Sequence, residues 1–188
     1  MAGRAPYSQS MPSATSPIPS VPVPVPRTAS IQVRSADYRN AAHGDALVRL
    51  LDAYARDPAG GGVPLTDFAC QHLVAELAAR PQAFSVLAFD ADQPVGLVNC
   101  LEGFSTFACR PLVNIHDVVV LGSHRGLRVG EQMLTLVEAL ARQRGACKLT
   151  LEVLAGNAAA QRLYARTGFA GYQLDPALGA AQFLQKWL

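Results

Sequence analysis

The order of elements predicts an α+β fold for this chain of 188 residues: a strand, two helices, three strands, a helix, a strand, a helix and closing strands. Three observations carry that reading. SVLAFDADQPVGLVNCLEGFS places a polar turn, Asp90 to Pro94, between two β-rich runs, the pattern of an antiparallel hairpin. NIHDVVVL runs through a glycine-bearing turn into a helical pattern, a strand–turn–helix. With 50% hydrophobic residues the chain has enough apolar material for one buried core, which its length makes a single domain.

The first thirty residues stand apart. Pro6, Pro12, Pro17, Pro19, Pro22, Pro24 and Pro26 are mixed with Ser, Ala and Val, and VPVPVP favours extended polyproline II over any packed element. Residues 1–30 therefore read as a disordered Pro-rich tail or a stretch ahead of an alternative start at Met11; a partner-binding proline motif is the other reading. The prolines interrupt the apolar core that a secretory signal needs, and no segment has the ~20 apolar residues of a membrane span.

The folded pattern begins with IQVRSA, a first strand near Ile31. Leu47, Leu50, Leu51 and Tyr54 recur at helical spacing between Asp45 and Ala55, and Phe68, Leu73, Val74 and Leu77 do so between Thr66 and Arg80. DPAGGGVPL joins the two, either as a solvated linker or as a lid over a substrate mouth. After the hairpin, FACRPLV reads as a connection to the central strand NIHDVVVL. Strict alternation there puts Asn114, His116, Val118 and Val120 on one face and Ile115, Asp117, Val119 and Leu121 on the other. Met133, Leu136, Val137 and Leu140 mark a helix over about 130–144. KLTLEVL reads as a further strand, Asn157 as the cap of a helix to about Thr167, and QFLQKWL as a strand closing the sheet.

Charge narrows the function. A net charge of +2 with 16% charged residues leaves no basic run for nucleic acid or an anionic membrane, so neither is an expected partner. The four cysteines lack CxxC spacing and do not cluster with histidine, which predicts no metal site and reduced thiols in a cytoplasmic protein. A strand–turn–helix with small residues at the turn suits phosphate oxygens, because the helix N-terminus offers unpaired N–H groups and partial positive charge; Arg125 adds a fixed one. Walker and dinucleotide glycine patterns are absent, which argues against nucleotide hydrolysis and hydride transfer.

Arg125, Gly126, Leu127, Arg128, Val129 and Gly130 resemble the hallmark of the GNAT superfamily of N-acetyltransferases: Arg or Gln, two residues, Gly, one residue, then Gly or Ala. One position departs, since Arg128 stands where the family usually has glycine; its side chain either swings outward or adds a phosphate contact. Asn157, Ala160, Leu163, Tyr164, Gly168 and Phe169 are similar to the family's second motif. The resemblance implies a GNAT domain over residues 31–188, with a mixed, mostly antiparallel sheet of about six to seven strands and about four flanking helices. It also implies acetyl-CoA as cosubstrate, a small-molecule amine acceptor and a dimer as in many family members.

Roles follow from the same resemblance. Backbone groups near Val118, Val119 and Val120 would pair with the pantetheine arm, and an N–H there would stabilise the oxyanion. Tyr164 would protonate the leaving thiolate, and Asn157 would contact the coenzyme or cap its helix. IHDVVV is similar to LEDFFV of diamine acetyltransferases, which puts His116 at the base and Asp117 beside it at the substrate. Imidazole titrates close to neutral pH, which suits proton abstraction; a core histidine satisfied by backbone is the alternative. Glu102 and Glu152 are further carboxylates able to take a proton. FSTFACRPL lies where the family's acceptor pocket begins, so Phe104, Ser105, Thr106 and Arg110 would meet an amine that also bears a carboxylate; packing and surface pairing is the alternative reading. A covalent route through Cys109 or Cys147 has no support in the neighbouring residues. The alternative to an enzyme is a GNAT-fold acyl-CoA-binding or sensor module whose turn Arg128 has degraded.

Overall fold

The computed structural model describes residues 30–172, 175, 177, 179 and 181–187. The Pro-rich tail expected over 1–30 lies outside them but for residue 30. Among the described residues five strands form one sheet in chain order: β1 (Ile31–Ser35), β2 (Ala83–Asp90), β3 (Gln93–Ser105), β4 (Arg110–Val120) and β5 (Leu149–Leu151). The first three pairings are antiparallel and β4 with β5 is parallel. Four helices flank the sheet: α1 (Ala41–Ala55), α2 (Asp67–Ala78), α3 (Val129–Gln143) and α4 (Ala158–Arg166). The α+β architecture is the expected one, with fewer strands than predicted.

The helices α1 and α2 begin where side chains satisfy their open N–H groups. Asn40 accepts from the amides of Ala42 and His43, and Thr66 from that of Ala69. Each sheet face has its own core. On one face α3 places Met133 and Val137 against Val86, Val98, Val113 and Ile115. On the other, α1 buries Leu47 and Leu50 against Leu87, Leu97 and Val119, with Leu73 and Leu77 of α2 at the margin.

Four expectations are corrected. The supposed FACRPLV connection is mostly strand: Phe104 pairs with Pro111 and Ser105 with Arg110, leaving only four residues to turn. QFLQKWL forms no strand over residues 182–187; Phe183, Leu184 and Trp187 stay exposed, so the burial that would favour an added strand is missing. The strict alternation along β4 also fails. Asn99 pairs with Asp117 and Cys100 with Ile115, so His116 is an extra residue, a β-bulge. Val113 and Ile115 face α3, but past the bulge Val119 and Leu121 face α1 while Val118 and Val120 turn to the α3 side. The bulge also coincides with the end of the β4–β5 ladder, whose last pair is Ile115 with Leu151, which shortens the expected KLTLEVL strand to three residues. Among the described residues no helix is long and apolar enough to cross a membrane.

Candidate active site

Beyond Ile115 the two strands part, and a groove of about 940 Å³ opens between β4, the N-terminus of α3 and α4. Val118, Val119 and Val120 form its strand wall. No side chain caps α3, so its first-turn N–H groups remain available at the groove, where anions are favoured.

Each residue of the turn has its own physical reason. Gly126 has φ +84°, a conformation that suits glycine. Arg128 takes φ 59° without being glycine, and its guanidinium turns to Glu131 at 2.8 Å with the side chain 77% exposed. The departure from the family pattern is thus absorbed: the backbone keeps the left-handed shape and the side chain swings out. Gly130 serves packing rather than conformation, because a Cβ there would meet Leu163 Cδ2 of α4 at 2.8 Å. Glu131, held well below the usual carboxylate range first by Arg166 and then by Arg128, ties α3 to α4. Leu127 is exposed and does not line the groove.

Arg125 is engaged. It donates to the Val120 carbonyl at 3.2 Å and to Asp57 Oδ2 at 3.1 Å, so it joins β4 to the loop after α1. That loop contains a short 3₁₀ turn, Pro58–Gly60, and walls the groove through Asp57, Pro58 and Ala59. The start of the DPAGGG stretch is therefore a wall tied to the turn after β4 through Asp57 and Arg125 rather than a free linker. Asp57 is pulled down by the amide of Ala59 and then by Arg125.

Tyr164 lies on α4 at the groove, 9% exposed. Burial pushes its phenol up to about 12, with the neighbouring Tyr54 adding to the rise. It remains a protonated donor through the neutral range. Gly168 (φ +88°) ends α4 and folds Phe169 back edge-on to Tyr164, centroids 5.9 Å apart, which explains the glycine–phenylalanine pair in physical terms. Asn157 lines the groove and caps α4, its Oδ1 accepting from the Ala160 amide at 3.1 Å.

A second cavity of about 330 Å³ lies on the α1–α2 side of the sheet. His116 and Asp117 both line it, brought there by the bulge, with aliphatic walls from Leu51, Leu65, Leu73 and Leu77. His116 is exposed and makes no hydrogen bond among the described residues, unlike a core histidine held by backbone. Asp117 accepts from Asn99 Nδ2 at 3.0 Å. Tyr54 borders both cavities, and its phenol is raised by burial first and then by the charge of Asp117. Tyr54 and Asn99 were not singled out in the sequence. Tyr54 reads there as one more apolar position of α1, and Asn99 as a polar residue in an apolar strand, the one available signal.

Other expected site residues lie elsewhere. Phe104, Ser105, Thr106 and Arg110 sit at the turn end of the β3–β4 hairpin and line neither cavity; Phe104 is three residues along β3 from Leu101 of the second cavity, roughly 10 Å at about 3.3 Å per residue. There Phe104 is exposed, Ser105 accepts from the Ala108 amide, and Arg110 donates to the Gly145 carbonyl. Glu102 is paired with Arg144 at 3.2 Å, and Glu152 accepts from Asn114 at 3.4 Å; neither lines a cavity. Cys109 and Cys147 are likewise apart from both cavities. Cys100 borders the second, but burial pushes its thiol up to about 12, the opposite of an activated nucleophile. Among the described residues no His, Cys, Asp and Glu cluster could hold a metal ion.

Comparison with known proteins follows this geometry. The sequence model of the acetyltransferase (GNAT) family matches residues 63–169. A streptothricin acetyltransferase from Streptomyces lavendulae is 39% identical over 87 residues, covering 45% of this chain and 46% of that protein, so the match spans about half of the relative's length. An aminoglycoside acetyltransferase from an uncultured soil metagenomic sample, solved with trehalose, superposes with a TM-score of 0.68 at 16% identity over 84% of this chain and 97% of the other. A ribosomal-protein-alanine N-acetyltransferase from Brucella melitensis biovar Abortus 2308 gives 0.63 at 16% identity, over 84% and 100%. At such identities the two structures establish the shared fold alone.

Proposed function

The chain belongs to the acetyltransferase (GNAT) family, and on that premise we propose that it moves an acetyl group from acetyl-CoA to a primary amine of a small cationic molecule, by direct attack in a ternary complex. The observation that carries this reading is the shared wall at Tyr54: a groove with an uncapped helix N-terminus and Tyr164 abuts a cavity holding His116 and Asp117.

The groove fits the coenzyme by the chemistry of its donors. The first-turn amides of α3 hold pyrophosphate oxygens, and the β4 edge from Val118 to Val120, free of β5, offers backbone partners to the pantetheine arm. An N–H of that edge stabilises the developing oxyanion. Asp117 holds the acceptor's cation, and His116 takes the proton that an ammonium of pKa about 10 must lose before its nitrogen can attack. Tyr164 gives its phenolic proton to the leaving sulfur. After attack the nitrogen sheds a second proton, which offsets the one the phenol gives to sulfur, so the overall transfer releases one proton and the phenol is restored through solvent.

The acceptor's class follows from what lines its cavity. Arg110, expected to meet a substrate carboxylate, donates to the Gly145 carbonyl instead and does not line the cavity, and among the described residues no lysine or arginine borders it. A cation with an aliphatic body fits better than an amino acid. The partial match to a streptothricin acetyltransferase is consistent with a small molecule as acceptor. The reason for a sensor reading weakens as well, since Arg128 turns away from the groove toward Glu131.

The test is release of free CoA across an amine panel, with mass-spectrometric detection of the acetylated product. Turnover is expected with basic amines lacking a nearby carboxylate. Acetyl-CoA binding without turnover on any amine would overturn the enzymatic reading in favour of a sensor.

A further inference from the structure

On the α1 face of the sheet a chain of polar groups crosses three strands. Tyr38 Oη lies 2.8 Å from Ser85 Oγ, Ser85 Oγ lies 2.6 Å from Asn99 Oδ1, and Asn99 Nδ2 lies 3.0 Å from Asp117 Oδ2. Ser85 is 1% exposed and Asn99 6%. Buried polar groups in the middle of an apolar face cost stability unless paired, and the register explains how these pair: Ser85 lies opposite Asn99, and Asn99 opposite Asp117. Their neighbours on this face, Leu87, Leu97 and Val119, are apolar. A leucine or valine in place of Ser85 and Asn99 would continue that core.

The direction of every hydrogen bond is determined. Asn99 Oδ1 only accepts, so the single proton of Ser85 points to it. Ser85 Oγ must then accept from Tyr38, whose phenol burial keeps protonated. The amide of Asn99 spends an N–H on Asp117 Oδ2. All three donors therefore point one way, toward the carboxylate, and such aligned bonds polarise one another. A side-chain amide passes no proton along this line, so the chain is an orienting device and not a proton wire. It occupies one carboxylate oxygen.

We propose that Tyr38, Ser85 and Asn99 are positioning residues that hold the Asp117 carboxyl group in one orientation, with Oδ1 presented to an acceptor ammonium, and that they thereby set the site's preference for cationic acceptors. Charge complementarity agrees: Asp117 is the one carboxylate bordering the acceptor cavity, and no lysine or arginine among the described residues borders it to offset that charge. The inference rests on the amine-transfer reading for the identity of the reaction, but not for the binding preference itself.

The test is equilibrium binding of n-hexylammonium and of n-hexanol, equal in length and differing in charge, measured by calorimetry at pH 7 on the full chain. The wild-type protein is expected to bind the ammonium at least tenfold more tightly. Asn99→Asp keeps the shape but replaces the donor by a second carboxylate about 3 Å from Asp117, where two like charges cannot both persist; the preference should fall roughly tenfold. Ser85→Ala and Tyr38→Phe, which remove one hydroxyl each, should lower it by about threefold and about twofold, within the worth of single hydrogen bonds. Hexanol and acetyl-CoA affinities should hold within about twofold in all three, a pattern that general loosening of the core does not give. In turnover with an accepted amine, acceptor KM should rise with kcat little changed.

An ammonium preference that is absent in the wild-type protein, unaltered in the variants, or lost in step with hexanol binding overturns the proposal. If Asn99→Asp does not fold, the two hydroxyl deletions decide by their graded order. A wild-type protein that prefers the ammonium yet acetylates no amine would sink the enzymatic reading while leaving the positioning chain standing.

Discussion

The groove proposed for the coenzyme is built from backbone and the cavity proposed for the acceptor from side chains. In the groove the chemistry lies in the N–H groups of α3, the unpaired edge of β4 and the left-handed turn at Gly126 and Arg128. In the cavity it comes from four elements: Tyr54 of α1, Asn99 of β3, His116 and Asp117 of β4, and leucines of the helices and loop. Backbone geometry tolerates change in a side chain that points away, as Arg128 shows. A site assembled from side chains has no such tolerance, and each substitution in it alters which acceptor it fits.

The largest expected effect lies where the two regions meet. Tyr164→Phe should lower kcat by about 100-fold, within the range of general acid catalysis, with acetyl-CoA affinity near that of the wild type; unchanged turnover would remove the phenol from the mechanism. The pH dependence has a definite sign. The native phenol sits at about 12 against an ordinary 10.0, so its contribution to stability is complete below pH 10 and drains as pH rises through about 12. Replacing it by phenylalanine should flatten that alkaline loss in melting temperature.

On the acceptor side, Asp117→Asn should raise the acceptor's KM at least about tenfold, the usual cost of losing a charge-assisted hydrogen bond, with acetyl-CoA binding unaltered. The coenzyme side is probed by Gly130→Val, which must displace Leu163 and so part α3 from α4. Stability should fall by about 1–3 kcal/mol by denaturant titration, and coenzyme affinity should fall with it. If affinity fell in Asp117→Asn and held in Gly130→Val, the division of labour would be reversed. The smallest effect belongs to Arg128→Gly. Release of a non-glycine residue from φ 59° should stabilise the fold by no more than about 1 kcal/mol, partly offset by the lost pair with Glu131, and should leave coenzyme affinity within about twofold.

The same contrast governs what the sequence discloses. A turn that needs φ > 0 and a helix start without a bulky side chain leave local marks, so Arg125 to Gly130 and Asn157 to Phe169 were readable, as were α1, α2 and α3 from their apolar spacing and α4 from its cap. The cavity leaves no local mark. His116 reaches it through a bulge that a period of two cannot anticipate, and Tyr54 and Asn99 converge on it only through tertiary packing. Phe104 to Arg110 looked like an acceptor surface because aromatic, hydroxyl and cationic groups are mixed there. The antiparallel ladder beyond Leu101 carries them past the cavity to the hairpin turn. The missing final strand has a similar origin, since alternating apolar residues at 182–187 show a capacity for pairing and not a partner.

Direct transfer across the wall at Tyr54 is tested most directly by initial rates with acetyl-CoA and an accepted amine varied together. Lines that intersect in double-reciprocal plots, with no CoA released by the protein and acetyl-CoA alone, are the predicted result. Parallel lines with a stoichiometric burst of CoA and a mass increase on the protein would show a covalent acetyl-enzyme and contradict the two-chamber account.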